Sequence, residues 1–123
     1  MLLLDTSFVI ELEAEMGSRR SGPAQRFLAA RPTDLAAVSI VTIGEFAEGF
    51  EKMREVEAFL SRFRVVPLSR NIAYRTAALQ SGLPRRLGEN DAWIAATALD
   101  YDASLVGRDQ AFERIPRLKY VRF

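Results

Sequence analysis

The chain reads as an α/β protein: a parallel sheet of four to five strands with helices on both faces. Three observations lead there. Short apolar runs alternate with helical segments along all 123 residues. Clusters of Gly, Pro and Ser separate them. Most of the runs are apolar almost throughout, as expected of strands buried on both sides of a sheet.

Leu2-Leu-Leu-Asp5 is the first short strand, and an amphipathic helix follows to about Glu15. Gly17 to Pro23 is a loop by its turn chemistry, and Pro23 suits the first turn of a helix that carries Phe27 and Leu28 and stops before Pro32. Ala36 to Ile40 is the second strand. Thr42-Ile-Gly-Glu45 opens a helix with Phe46, Phe50 and Met53 on one face, and Val56, Phe59, Leu60 and Phe63 recur at helical spacing after it. This stripe reads as core or as a dimer surface. Val65-Val-Pro-Leu68 is the third strand, with Pro67 marking its end or an edge position. Ile72 to Leu79 is helical, and Ser81 to Gly88 is a loop. Asp91 to Leu99 is an almost wholly apolar helix, hence buried, with Trp93 in the core. Ser104 to Gly107 is the fourth strand, Asp109 starts a short helix, and Lys119 to Phe123 is a last edge strand.

Composition narrows the chemistry. The length suits one domain spanning 1–123, and 49% hydrophobic residues suffice for one core. No apolar run approaches the roughly 20 residues of a membrane span. The start lacks the basic and long apolar segments of a signal peptide, so a cytoplasmic protein is expected. With no Cys and no His, thiolate and imidazole metal sites and histidine-based catalytic triads are excluded. A bound metal must sit among oxygens, which favours Mg²⁺ or Mn²⁺. Net charge is +1, but residues 1–61 carry 6 basic and 10 acidic side chains while residues 62–123 carry 11 basic, ten of them Arg, and 6 acidic. That asymmetry permits a nucleic-acid partner, and equally describes a solvated Arg-rich surface.

Four acids fall at equivalent places in this order. Asp5 ends the first strand. Glu45 lies in the first turn after the second, and Asp109 just after the fourth. Asp91 begins the helix that leads into the fourth strand. Right-handed crossovers put all strand C-termini on one edge, and helix N-termini meet them there. Each acid alone also reads as a helix cap, and Thr42-x-x-Glu45 matches a capping box. Together they are different: crowded carboxylates repel, helix N-termini offset only part of that charge, and a divalent cation compensates it fully. Asp5 would be the central ligand with Asp91 and Asp109 beside it. Glu45 would ligate directly, through water, or orient the attacking water. The set suits metal-assisted phosphodiester hydrolysis.

The residues around these acids resemble PIN domains. Leu4-Asp5-Thr6-Ser7-Phe8-Val9-Ile10 is similar to the family's opening motif. Ser39 to Phe46 with Glu45 is similar to its second, Asn90-Asp91-Ala-Trp-Ile-Ala-Ala to its third, and Leu105-Val-Gly-Arg-Asp109-Gln-Ala-Phe112 to its fourth. The motifs come in family order and span nearly the whole chain. The likeness is closest to toxins of VapBC toxin–antitoxin pairs. It implies an α/β/α sandwich, Mg²⁺- or Mn²⁺-dependent endoribonuclease activity on structured transfer or ribosomal RNA, a homodimer and a cognate VapB-like antitoxin. By motif position the family's catalytic and metal-binding acids fall on Asp5, Glu45, Asp91 and Asp109, with Thr6 and Ser7 supporting them. Ser7 stands where many members have Asn, and Gly107 where many have Thr or Ser.

Arg85 and Arg86, in the loop before Asp91, and Arg108, beside Asp109, are candidates for RNA phosphate contacts, although exposed Arg on a loop is ordinary. A non-catalytic PIN module that binds RNA or a protein partner is the alternative, and Gly107 is its only support. A phospho-receiver domain is rejected: Asp5 is followed by Thr6-Ser7 rather than by an acid, and the third strand carries no Asp.

Overall fold

The computed structural model describes residues 1–123. Five strands, β1 (Leu2–Leu4), β2 (Ala36–Ser39), β3 (Arg64–Val66), β4 (Ser104–Gly107) and β5 (Lys119–Arg122), form one wholly parallel sheet in the order β3-β2-β1-β4-β5. Between them run α1 (Thr6–Gly17), α2 (Pro23–Ala29), α3 (Ile40–Ala47), α4 (Met53–Leu60), α5 (Arg70–Gly82) and α6 (Glu89–Asp100), with a short 3₁₀ helix at Gln110–Arg114.

The strand pleat sorts the apolar side chains into two cores. Leu2, Leu4, Val38 and Val106 point to one face and pack with Phe8, Leu12 and Phe27 of α1 and α2 and with Val56 and Leu60 of α4. Leu3, Ala37, Val66 and Leu105 point to the other and pack with Ala92, Ile94, Ala95 and Ala98 of α6. Burial on both faces is why these strands read as continuous apolar runs. It also confirms the α/β architecture with helices on both sides of a parallel sheet.

Several boundaries differ from expectation. The third strand starts at Arg64 and ends before Pro67, whose ring removes the N–H a ladder needs. Its Val65 is 42% exposed, while Val66 is buried in the second core. Helix α5 extends the expected 72–79 at both ends; its earlier start follows from Ser69, which caps it by accepting from the Ile72 amide at 3.2 Å. In the α3–α4 stripe, Phe46, Val56 and Leu60 are core, whereas Met53 is 52% exposed. Trp93 is half-buried against α5 rather than enclosed.

Glu15, read only as the end of a helix, is a buried carboxylate joining α1 to α2. Its oxygens accept from the backbone amides of Ala24 and Gln25, each at 2.9 Å, in the first turn of α2. Burial pushes its carboxyl up, but the bonds from Gln25 and Ala24 outweigh this and leave it below the ordinary range. Gly22 lets the two approach, since a Cβ there would run into the Glu15 carboxyl. Glu15→Ala strands two amide donors at a helix start, so it should destabilise the fold by about 2 kcal/mol in a urea denaturation curve.

Candidate active site

The strand order places β2 and β3 on one side of β1 and β4 and β5 on the other. The direction of winding therefore reverses between β1 and β4, and the crevice beyond their C-terminal ends is where α/β sheets bind ligands. Asp5 and Asp109 follow the strands that form that crevice.

Asp5 is fixed by the sheet and by the helix it caps. Its amide extends the ladder to the Val106 carbonyl at 2.9 Å. Its Oδ1 accepts from the Thr6 amide at 2.7 Å, capping α1, and its Oδ2 accepts from the Ser7 hydroxyl at 2.9 Å. The carboxyl is buried, at 5% exposure. Burial raises its pKa; the Ser7 and Thr6 bonds pull it down, and the charges of Glu45 and Asp109 push it up again, for a net rise.

Glu45 does not form the expected capping box. Helix α3 begins earlier, with Ser39 as the cap that accepts from the Thr42 amide at 3.1 Å. Glu45 is thereby a residue of the helix interior whose carboxylate is free for tertiary bonds. Its Oε1 accepts from the Thr6 hydroxyl at 2.5 Å and its Oε2 from the Asn90 amide at 3.2 Å. With its one hydrogen given to Glu45, the Thr6 hydroxyl can accept from that of Thr42, 3.2 Å away. Thr6 thus braces Glu45 with its side chain and Asp5 with its backbone, while Ser7 braces Asp5.

Asp91 is not a cap either. Gly88 occupies the N-cap of α6, and Asp91 is the third helical residue. Its carboxyl is pushed up to about 6, first by burial and then by the negative charges of Asp5, Asp109 and Glu45. Asp109, exposed, caps the 3₁₀ helix by accepting from the Ala111 amide at 2.8 Å. The charges of Glu45 and Asp109 thus act on Asp5 and Asp91 across a single edge. No three carboxylates stand at the mutual spacing of a closed metal cage, so the arrangement is an acidic crevice rather than a finished cage.

Glu45, Gly88, Glu89, Asn90 and Asp91 line an open depression at this edge without one apolar residue. A larger depression, lined by Arg75, Leu79, Leu83, Leu99 and Arg117 among others, holds no carboxylate or nucleophile and is not a reaction centre. Of the arginines, Arg86 is exposed and pairs with Glu89 at 2.5 Å, so it stands at the rim of the acidic depression. Arg85 is exposed, and its carbonyl accepts from Arg114 at 2.6 Å. Arg108 stacks over the Phe123 ring at 4.2 Å and lies 3.7 Å from Glu11, engaged within the protein. Sequence reasoning reads Thr42 only as half of a capping box and does not single out Asn90 or Tyr120. Asn90 is legible as the neighbour of Asp91; Tyr120 is brought to the edge by tertiary structure alone.

With this geometry established, comparison with known proteins is direct. The family model described as PIN domain matches residues 2–118, and the chain belongs to the PIN-domain family. Ribonuclease VapC1 of Haemophilus influenzae (strain R2866) is 27% identical, with 96% of this chain and 94% of the relative covered. A toxin–antitoxin complex from Klebsiella pneumoniae contains a chain 29% identical with a TM-score of 0.78, covering 98% of this chain and 96% of that one. DNA-bound VapBC from Salmonella typhimurium contains a chain 26% identical with a TM-score of 0.80, over the same shares of each.

Proposed function

We propose that this chain is the toxin of a type II toxin–antitoxin system: a metal-dependent endoribonuclease that hydrolyses phosphodiester bonds in structured transfer or ribosomal RNA. The observation that carries the reading is that Glu45 and Asp109 act electrostatically on Asp5 and Asp91 at one edge of the sheet of a PIN domain. The similarity to VapC1 and to chains of VapBC complexes supports the substrate class and a VapB-like antitoxin as partner. A homodimer and a cytoplasmic location belong to the same reading. No helix is long and apolar enough to cross a membrane. No observation favours a non-catalytic module.

The donor set fits Mg²⁺ or Mn²⁺. Only carboxylate oxygens are available as charged ligands, and Asp5 and Asp91 are both raised by burial and by the neighbouring negative charges, a strain a cation relieves. Asp5, Asp91 and Asp109 would hold the ion, with Glu45 as a further ligand or as the group that orients water. Bound there, a divalent ion would acidify a water and offset charge on the phosphate. Asp5 is held rigid through both oxygens by Thr6 and Ser7. Glu45 is held through both of its own by Thr6 and Asn90, so it can fix a water in one orientation. Asp91 has no hydrogen bond to its carboxylate, so its oxygens are open to an ion, and a cation there would offset the burial and negative charges that raise it to about 6. Arg85 and Arg86 would meet the RNA backbone at the rim; Arg108 is committed to Phe123 and Glu11.

Cleavage of a labelled RNA pool tests this reading. Activity should vanish with EDTA and return with Mn²⁺ or Mg²⁺ in the millimolar range but not with Ca²⁺, which favours looser, higher-coordinate sites. Cleavage that persists in excess EDTA would sink the metal-dependent mechanism.

A further inference from the structure

Tyr120 belongs to β5, its ring packed 5.3 Å from that of Phe112. Its phenol oxygen is buried and has no hydrogen-bond partner. An unpaired buried hydroxyl costs about 1–3 kcal/mol, and phenylalanine would fill the same apolar space without that cost. The hydroxyl therefore calls for a purpose, and its surroundings offer one.

Gly107 ends β4 and is buried. Its backbone does not demand glycine, since no glycine in the chain has a positive φ. Space demands it instead. A Cβ at this position would lie 2.9 Å from Asp5 Oδ2, 3.1 Å from Asp5 Cβ and 3.2 Å from the Tyr120 hydroxyl. The carboxylate and the phenol oxygen thus both border the space that a side chain at 107 would take. A phenol is protonated at neutral pH, so the hydroxyl is available as a donor.

We propose that Tyr120 is a positioning residue for Asp5: its hydroxyl, unpaired in this structure, borders with the Asp5 carboxylate the space that Gly107 leaves open, and it becomes a donor to that carboxylate when Asp5 turns to receive a cation. Ser7 already donates to Oδ2 at 2.9 Å, so with Tyr120 both lone pairs of that oxygen would be taken. Oδ1 accepts from the Thr6 amide and keeps one lone pair, which would face the cation. This inference rests on reading Asp5 as a metal ligand.

The test compares wild type with Tyr120→Phe, Gly107→Ala and the double variant, using Tyr74→Phe, a phenol 65% exposed, as control. Isothermal titration with Mn²⁺, near-UV difference absorbance on adding Mn²⁺, and thermal melts are recorded for each. Tyr120→Phe should melt at or above the wild-type temperature yet bind Mn²⁺ about tenfold more weakly, as outer partners of metal ligands do. It should also lose the phenol difference signal that Tyr74→Phe keeps. Gly107→Ala should weaken Mn²⁺ binding by a similar factor, and the double variant should lose little more, because both changes remove the same proposed pairing. Wild-type affinity and an unchanged difference signal in Tyr120→Phe would overturn the assignment while leaving Asp5 as a ligand. Failure of the wild type itself to bind Mn²⁺ would sink the metal site and this inference together.

Discussion

Asp5→Asn should fold like the wild type and lose ribonuclease activity by about 10³-fold, the scale of removing a charge that acts mainly in the transition state. Asparagine keeps an oxygen that can accept from the Thr6 amide, so the cap of α1 survives. It removes a buried negative charge beside Glu45 and Asp109, so the metal-free protein should gain stability. The expected signature is therefore divided: a melting temperature at or above wild type, little Mn²⁺ binding in calorimetry, and almost no cleavage in single-turnover assays. A misfolded variant would lose the first along with the rest. Undiminished cleavage would remove Asp5 from the mechanism and with it the central role assigned here.

That prediction was within reach of the sequence because the position of Asp5 follows from topology. An apolar run ending in an acid, repeated where strands meet helices, places carboxylates at one sheet edge once the crossovers are right-handed. The five-strand order and the two apolar faces follow from the same alternation. What stayed hidden depends on distant partners. Thr42-x-x-Glu45 satisfies the local rule for a capping box, yet Ser39 takes the cap and Glu45 turns to Thr6 and Asn90, 39 and 45 residues away in sequence. Arg108 adjoins Asp109 in sequence, but its guanidinium lies over the ring of Phe123. Glu15 is one of several acids in a helix until α2 folds back and its amides select it. Gly107 looks like a simple loss of a hydroxyl until β5 brings another hydroxyl beside it. In each case local chemistry offered two partners and the tertiary fold chose.

Asp91 supplies the second large effect, read in stability. Its carboxyl titrates near 6 in the folded protein against an ordinary 3.8, so the folded state holds that proton more tightly than the unfolded chain. The associated stability is fully present below pH 3.8 and is lost as pH rises through about 6. For a partly solvated group the loss is about 1–2 kcal/mol after solvent screening, or about 5 °C in melting temperature. Asp5, also raised, acts in the same direction. Glu15 acts in the opposite direction, but its carboxyl lies below 4.5, so it is already ionised in both states at higher pH. The chain has no histidine to titrate in between. A comparison of melts at about pH 5 and about pH 7.5 therefore isolates the acidic crevice. Metal-free wild type should be the more stable at the lower pH, and Asp91→Asn should flatten most of that difference by gaining stability at the higher one. Saturating Mn²⁺ at about pH 7.5 should restore the wild type by more than the repulsion removed, since a ligand that binds only the folded state adds stability in proportion to the logarithm of its concentration. It should do much less for Asp91→Asn. Equal melting temperatures for metal-free wild type at both pH values would mean that the four carboxylates do not share the field assigned to them, and the case for a cation at this edge would fall with it.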